Sequence, residues 1–222
     1  LDTIGSDTLR WFLVSSPVLK GGNLTVDLEG KEIAKAARFA QIPLWNAFYF
    51  FTLYANAENY QAREVYSSDQ DIDNYILSKL KRLSQMVKQG LDTYDVSLAT
   101  NEIANFMEML NNWYIRRTRD RFWAGDRLAF DVLYTVLVNL SKIIAPLMPF
   151  VSEYVYKTLT GAESVHLADY PLLDQIKTDE SLVAEMDFVQ ELCSAGKFIR
   201  EEKNLRNRLP LSSLTAVSYT HL

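Results

Sequence analysis

The chain has 222 residues, of which 48% are hydrophobic, 12% aromatic and 23% charged. This is the composition of an ordinary globular protein, and the length suits one large domain or one domain with part of another. No apolar run approaches the ~20 residues needed to cross a bilayer, and the first residues lack the basic-then-apolar pattern of a signal peptide. A single cysteine, Cys193, excludes an internal disulfide and a multi-cysteine zinc site. We therefore expect a reducing, cytoplasmic location.

The net charge of -5 argues weakly against a nucleic-acid-binding protein, but the charge is unevenly distributed. Residues 111–127 and residues 197–222 each carry a net charge of +3, whereas residues 27–110 carry -4 and residues 128–196 carry -7. Local clustering of positive charge matters more than the total for binding a polyanion. The two basic segments are therefore the candidate binding regions.

The first quarter of the chain predicts one short and one long helix. Asp7 is placed to cap a helix that ends before Pro17, and Leu24–Val26 predicts a brief extended piece. Asp27 is then placed to cap a long helix, whose apolar residues recur at three- and four-residue steps. Pro43 lies inside this pattern and predicts a kink or a break, because proline lacks the backbone N–H and clashes with the preceding turn.

The middle of the chain carries the same helical periodicity. Acidic residues, which suit the positive end of a helix dipole, stand at several of the predicted starts. Helices are predicted from about Asp69–Asp73 to Gly90, from Asp95 to Trp113 or Tyr114, from Asp126 to Ile144, and from Val151 to Leu159. Four or five amphipathic helices with short connections predict a mainly α protein with an antiparallel helix bundle.

The periodicity weakens after Ala162. Val165–Leu167 predicts an extended stretch, and a further helix is predicted from about Ser181 to Asn204. Leu214–Val217 then alternates loosely, like the start of a strand. We therefore expect a truncated α+β piece at the C-terminus.

The residue types offer little for catalysis. His166 and His221 are the only histidines, so nucleophilic mechanisms have few possible bases. A hydrolase that pairs His166 with Asp169 is one alternative, although a histidine that structures a loop is the favoured interpretation. The aspartates of residues 69–73 are spaced like calcium ligands, but no glycine and distal glutamate complete the loop, so a solvated helix start is predicted. We predict no catalytic residue and no metal site.

The most informative segment is Asn111–Trp123, where four arginines in six positions are flanked by aromatic residues on a predicted helix. At ~100° per residue, Arg116, Arg119 and Trp123 share one face. Guanidinium groups present a planar fork of donors that suits phosphates, and an unstacked RNA base can lie on an aromatic ring. We expect outward, RNA-binding side chains at Arg116, Arg119, Trp123 and Arg127, and structural or acid-paired side chains at Trp113, Arg117 and Arg121.

The second basic segment is Lys197–Arg208. Its positive charge is diluted by Glu201 and Glu202, so a solvated helix end explains most of it. Arg206 and Arg208 are its candidate RNA contacts. For both basic segments the alternative is that the arginines form surface ion pairs with the acidic helices.

Several stretches resemble one known family in the same order along the chain. Asn112–Trp123 is similar to the anticodon-binding helix of class I aminoacyl-tRNA synthetases, and Arg116 directly after Trp-Tyr-Ile favours the isoleucyl branch, since valyl relatives tend to have an acid there. Three stretches resemble the segment after the catalytic signature loop, the first bundle helix and a later proline-containing turn: Asp7–Leu13, Pro43–Asn56 and Ile144–Phe150. Leu205–Leu211 resembles the entry to the C-terminal junction domain.

The resemblance implies a division of the chain and a partner. It implies that residues 1–26 are the tail of the catalytic region, residues 27–175 the anticodon-binding helix bundle, and residues 176–222 the start of a truncated junction domain. The implied partners are isoleucine tRNA, held by its anticodon stem-loop, and the catalytic domain of the same polypeptide. Arg116, Arg119, Trp123, Arg127, Arg206 and Arg208 are the implied tRNA contacts.

The resemblance also implies what the chain lacks. The parent enzyme uses ATP and magnesium to join isoleucine to its tRNA, but the signatures His-x-Gly-His and Lys-Met-Ser-Lys-Ser occur nowhere in the sequence. We therefore expect a fragment that is inactive, holds no cofactor, and lacks the catalytic and editing domains. The main alternative is a helical bracing or protein-docking module with no independent tRNA binding.

Overall fold

The computed structural model of the protein describes residues 5–24, 30–210, 213 and 215. These residues form short 3₁₀ turns at Pro17–Lys20 and Val165–Leu167 and no β-strand, so the predicted mainly α fold is confirmed. The α-helices are α1 (Ser6–Val14), α2 (Lys31–Ala36), α3 (Gln41–Ala57), α4 (Asp71–Asp92), α5 (Val96–Met109), α6 (Arg116–Trp123), α7 (Arg127–Ile144), α8 (Pro149–Thr160) and α9 (Glu180–Glu202).

The chain divides into two compact units, Leu1–Thr178 and Asp179–Leu222. Helices α1 to α8 belong to the first unit and α9 to the second. Apart from Leu24 and Thr215, the extended piece predicted at Leu24–Val26, the cap predicted at Asp27 and the strand predicted at Leu214–Val217 lie outside the described residues. The predicted α+β character of the C-terminal piece is therefore not shown.

The core of the first unit is built around α7. Fourteen of the 18 residues of α7 are buried, which is the pattern of a helix covered on most sides. Helices α3, α4 and α8 pack against it. The apolar residues Leu80 of α4, Ile103 of α5 and Leu133 of α7 are fully buried in this one core cluster. The predicted bundle is thus held by three- and four-residue apolar spacing on each helix.

Two helix starts follow directly from the sequence. The Asp95 carboxylate accepts a hydrogen bond from the backbone N–H of Leu98 at 3.0 Å, at the start of α5. The Asp126 carboxylate accepts one from Leu128 N–H at 3.0 Å, at the start of α7. Both side chains satisfy N–H groups that have no partner within the helix. Gly161 ends α8 in the left-handed conformation, φ 69°, which glycine adopts without strain.

Asp7 has a different role from the one predicted. It lies inside the first turn of α1 and does not cap its own helix. Its carboxylate instead accepts hydrogen bonds from the backbone N–H of Phe150 at 3.3 Å and of Val151 at 2.6 Å, at the start of α8. The first N–H groups of any helix are donors without an intrahelical acceptor, so a carboxylate distant in sequence caps α8 and ties α1 to it.

The helix break near Pro43 lies earlier than the proline. Turns at residues 37–40 separate α2 from α3, and Pro43 occupies the first turn of α3. Proline is tolerated in a first turn because N–H groups there have no intrahelical partner.

The extended stretch predicted at Val165–Leu167 is wrong. This segment is a 3₁₀ turn, because Ser164 and Glu153 accept its first N–H groups.

Asp73, in the first turn of α4, is fully buried, and the prediction of a solvated helix start is wrong for it. One carboxylate oxygen accepts from the hydroxyl of Tyr114 at 2.9 Å and from Arg121 Nη1 at 2.8 Å. The other accepts from Arg121 Nη2 at 3.0 Å and from the hydroxyl of Ser68 at 2.8 Å. Burial and the neighbouring Asp73 charge raise the pKa of Tyr114 well above its ordinary value, so the phenol remains a donor.

Replacing Asp73 should be far more costly than replacing its neighbour Asp71. We expect Asp73→Ala to lower the free energy of unfolding by about 3–5 kcal/mol, because both terminal nitrogens of Arg121 and the buried Tyr114 hydroxyl lose their acceptor. Asp71→Ala removes an exposed carboxylate from the same helix start and should cost less than about 1 kcal/mol. Urea denaturation of both variants measures the difference. Equal midpoints would show that the Asp73 contacts do not hold the bundle.

Candidate nucleic-acid interface

The predicted basic helix is α6, which continues α5 through a π-helical segment, Leu110–Ile115. Leu110, Tyr114, Thr118 and Phe122 are buried at four-residue steps. In an α-helix, with 3.6 residues per turn, residues at four-residue steps gradually rotate away from the core. The wider π turn reduces this rotation and helps to keep these side chains facing the core. The Asn111 amide supports the segment by donating to the backbone carbonyl oxygens of Met107 at 2.9 Å and Pro43 at 3.1 Å.

The outward face of α6 carries Arg116, Arg119 and Trp123, all exposed. Neither Arg116 nor Arg119 makes an ion pair or hydrogen bond with any residue that the structure describes. Trp123 is 58% exposed, and its Nε1–H donates to the Tyr54 hydroxyl at 2.9 Å. One edge of the indole is therefore anchored to α3 while much of the ring remains open to solvent.

Trp113 of the π-helical segment and Arg117 of α6 form an aromatic–guanidinium pair. The guanidinium carbon of Arg117 lies 3.8 Å from the centroid of the Trp113 ring, within cation–π distance. Arg117 is exposed and makes no ion pair among the described residues, whereas Trp113 is half-buried. The pair is a flat, positively charged surface one turn from Arg121.

Arg121 is the arginine that the fold uses internally. It donates to Asp73 as described above, and its Nε donates to Asp126 at 2.7 Å. Burial alone would lower the pKa of Arg121, but the hydrogen bonds to Asp73 and Asp126 raise that pKa above its ordinary value. Burial opposes ionisation of Asp126, yet the hydrogen bond and charge of Arg121 and two backbone N–H groups hold the Asp126 pKa below its ordinary value. This pair fixes the corner between α6 and α7.

The three remaining candidate arginines are exposed and occupy two different parts of the chain. Arg127, at the start of α7, has its guanidinium carbon 5.6 Å from the centroid of the Tyr60 ring. Arg206 and Arg208 follow α9 in the second unit. There Arg200 Nη1 donates to the carbonyl oxygens of Arg206 at 2.9 Å and Leu209 at 2.8 Å, which closes the turn and leaves both side chains exposed.

A groove of about 590 Å³ lies beside the π segment and was not predicted from the sequence. Asparagines from three elements line it together with apolar and charged side chains. These are Asn46, Asn105, Asn111, Asn112, Arg38, Phe39 and Glu108, among others. Amide groups donate and accept hydrogen bonds equally, so the groove suits a polar, planar ligand. The consecutive asparagines before Trp113 were the only sequence signal for it.

Residues 73–215 match the family model described as the anticodon-binding domain of tRNA ligase. The chain belongs to this family. The arginine helix α6, Asp73 and Tyr114 lie within the matched residues.

Known relatives of this anticodon-binding domain are isoleucine–tRNA ligases. The chain is 47% identical over 223 residues to that of Leifsonia xyli subsp. xyli, covering 98% of this chain and 20% of the relative. It is 46% identical over 217 residues to that of Corynebacterium efficiens, covering 96% and 20%. It is 41% identical over 237 residues to that of Bifidobacterium longum, covering 98% and 21%. The chain thus spans about a fifth of the length of these relatives.

A solved structure shares the fold of the anticodon-binding domain. It is the ternary complex of Agrobacterium radiobacter K84, agnB2 LeuRS-tRNA-LeuAMS, with a TM-score of 0.57 and 16% sequence identity. The match covers 82% of this chain and 20% of that chain. At this identity it establishes the fold alone.

Other candidate sites in this anticodon-binding domain have little structural support. His166 is exposed, its Nε2 lies 3.3 Å from the carbonyl oxygen of Pro149, and no hydrogen bond joins it to Asp169. Across the described ranges, no group of three or more His, Cys, Asp or Glu side chains could hold a metal ion. Within the same part of the chain, no helix is long and apolar enough to span a membrane.

The corner between α6 and α7 should lose its ion pair in acid. Because the Asp126 pKa is depressed in the folded state, the stability that the charge contributes is present above the pKa of an unfolded aspartate, about 4. This contribution to stability is lost as the pH falls towards and below the pKa that Asp126 has in the folded protein, which is the lower of the two. Asp126→Asn should therefore lower the melting temperature at pH 7, with a difference from wild type that shrinks below about pH 4. A constant difference across this range, measured by thermal unfolding, would contradict the assignment.

Proposed function

We propose that this chain binds the anticodon stem-loop of isoleucine tRNA as part of an isoleucine–tRNA ligase. The observation that carries the proposal is the exposure of Arg116 and Arg119 on α6 without an acidic partner among the described residues. An arginine that served only to balance the acidic helices would pair with a carboxylate of this chain, as Arg121 does. Identity of 41–47% to isoleucine–tRNA ligases over nearly the whole chain supports isoleucine as the amino acid.

The proposed contacts divide into those that hold the RNA backbone and those that hold bases. Arg116, Arg119 and Arg127 bind phosphates, which supplies affinity and register and makes binding sensitive to salt. Trp123 stacks on an anticodon-loop base, for which its anchored and exposed ring is suited. The asparagine-lined groove receives a second unstacked base, since amide groups can pair with its edge.

The second unit contributes through Arg206 and Arg208. Both are exposed in a turn that Arg200 braces, and we assign residues 176–222 to the start of the junction domain. We assign residues 27–175 to the anticodon-binding bundle and residues 1–26 to the tail of the catalytic region. The whole ligase would join isoleucine to its tRNA with ATP and magnesium in the cytoplasm. That chemistry belongs to the part of such ligases that this chain does not span.

A helical bracing or protein-docking module is the second candidate. It is favoured by exposed aromatic side chains on α3 and α8, where the rings of Trp45 and Tyr154 contact each other with centroids 5.6 Å apart and planes tilted by 35°. Such a surface suits packing against another protein domain. This candidate predicts that the chain alone binds tRNA negligibly.

Removing two charges from α6 tests the proposal. Arg116→Ala combined with Arg119→Ala should weaken binding of labelled isoleucine tRNA and reduce the slope of log affinity against log salt by about 1.4–1.8, the value for two lost phosphate contacts. Binding is measured by fluorescence anisotropy at several salt concentrations.

The matched control removes two charges from α4. Arg82 and Lys88 are exposed there, and Lys88 pairs with Asp92 on the same helix. Arg82→Ala combined with Lys88→Ala should leave affinity and slope nearly unchanged. If both double variants behave alike, α6 is not the RNA-binding helix.

A further inference from the structure

The loop between α3 and α4 contains an ordered segment, Tyr60–Tyr66, which we call the strap. It lies along α7 and is hydrogen-bonded to three residues of that helix, Asp131, Thr135 and Asn139. These three polar residues are buried and stand at four-residue steps, so they form one row on the helix. Buried polar groups on a core helix need partners, and the strap supplies them.

Each bond of the row holds a different part of the strap. The Asp131 carboxylate accepts from the Tyr60 hydroxyl at 2.9 Å and from the backbone N–H of Arg63 at 2.9 Å. The Thr135 hydroxyl oxygen accepts from Val65 N–H at 2.8 Å. Asn139 Nδ2 donates to the carboxylate of Glu64 at 3.0 Å. The strap is therefore held in place from end to end.

Arg63 projects from this fixed segment. Its side chain is 83% exposed, and its one ion pair joins Nε to Asp131 at the long distance of 3.6 Å. The terminal nitrogens of its guanidinium make no hydrogen bond with the described residues, so a planar fork of donors is available to a ligand. A charged fork on a preorganised backbone loses little conformational freedom when it binds a ligand.

The strap continues the surface proposed to bind tRNA. Trp123 of α6 is bonded to Tyr54 of α3, the helix that leads into the strap. Arg127, four residues after Trp123, lies over the ring of Tyr60 in the strap. A chain of direct contacts thus runs from the exposed face of α6 to the residues beside Arg63.

We infer that the strap is a second RNA-backbone contact, in which the Arg63 guanidinium binds a phosphate of the same tRNA that lies on Arg116 and Arg119. The inference rests on the proposed function and extends its footprint from one helix to a loop on α7. Tyr60 is a positioning residue for Arg127, and Thr135 is a positioning residue for the strap.

The test measures binding of labelled isoleucine tRNA to the full 222-residue chain and to Arg63→Gln. One phosphate contact contributes a salt slope of about 0.9. The variant should therefore bind several-fold more weakly than wild type at about 50 mM salt. The ratio of its Kd to the wild-type Kd should fall about threefold by about 200 mM. Arg63→Lys should retain the wild-type slope because it retains the charge. Arg82→Gln, which removes an exposed charge from α4, should match wild type at both salt concentrations.

A second variant tests whether the hydrogen bond from the strap to Thr135 of α7 positions Arg63 for binding. Thr135→Val removes the acceptor for Val65 N–H while leaving every charge in place. It should weaken binding without changing the salt slope, and it should have no further effect in the Arg63→Gln background. Thermal unfolding of each variant separates this effect from loss of folded protein.

The outcomes separate the two proposals. If Arg63→Gln binds like wild type while the Arg116 and Arg119 double variant weakens, the strap inference is overturned and the proposed function stands. A weaker Arg63→Gln with an unchanged salt slope also overturns it, since the contact would not be with a phosphate. If the wild-type chain shows no salt-dependent binding, the proposed function fails and the strap inference fails with it.

Discussion

The carboxylate of Asp73 organises the part of the molecule that concerns function. It is fully buried, and it accepts four hydrogen bonds, from Ser68, Tyr114 and both terminal nitrogens of Arg121. An isolated buried carboxylate is strongly unfavourable, so its partners must be in place whenever the bundle is folded. Because two of those partners lie on the π segment and on α6, the start of α4 sets where the basic helix lies.

The same interaction separates the arginines of α6 by role. Arg121 faces inward, and its charge is neutralised by Asp73 and Asp126. Asp131 of α7 is likewise engaged inside the fold, where it accepts hydrogen bonds from the strap. The outward arginines are therefore left without acidic partners among the described residues, although the chain as a whole has a net charge of -5. An acidic protein can in this way present a local surface suited to a polyanion.

Much of the helical architecture is predictable because its causes are local. Asp95 and Asp126 cap the helices that immediately follow them, and apolar spacing of three and four residues places the core faces. Contacts between distant residues cannot be read in this way. Asp73 looks like a solvated helix start until Arg121, 48 residues later, is placed beside it. Asp7 looks like the cap of α1 but bonds to the start of α8.

The candidate interface was predictable only in part. Within α6 the regular period correctly groups Arg116, Arg119 and Trp123 on one exposed face. The sequence left open whether the apolar face reaches Trp113 or Tyr114. In the structure Tyr114 is fully buried and Trp113 half-buried, in a segment that is π-helical. The sequence gives no indication of the strap, because a loop of mixed charge has no periodicity. The polar residues that hold the strap lie on α7, about 70 residues later in the chain.

The most direct measurement is competition between three unlabelled RNAs for the chain bound to labelled isoleucine tRNA. The competitors are the anticodon stem-loop of that tRNA, the same stem-loop with a mismatched anticodon, and its acceptor-stem hairpin. We expect the matched stem-loop to displace the tRNA at lower concentration than either of the others. Equal displacement by all three RNAs would show that the chain binds RNA only through general electrostatics, and it would contradict anticodon recognition by this domain.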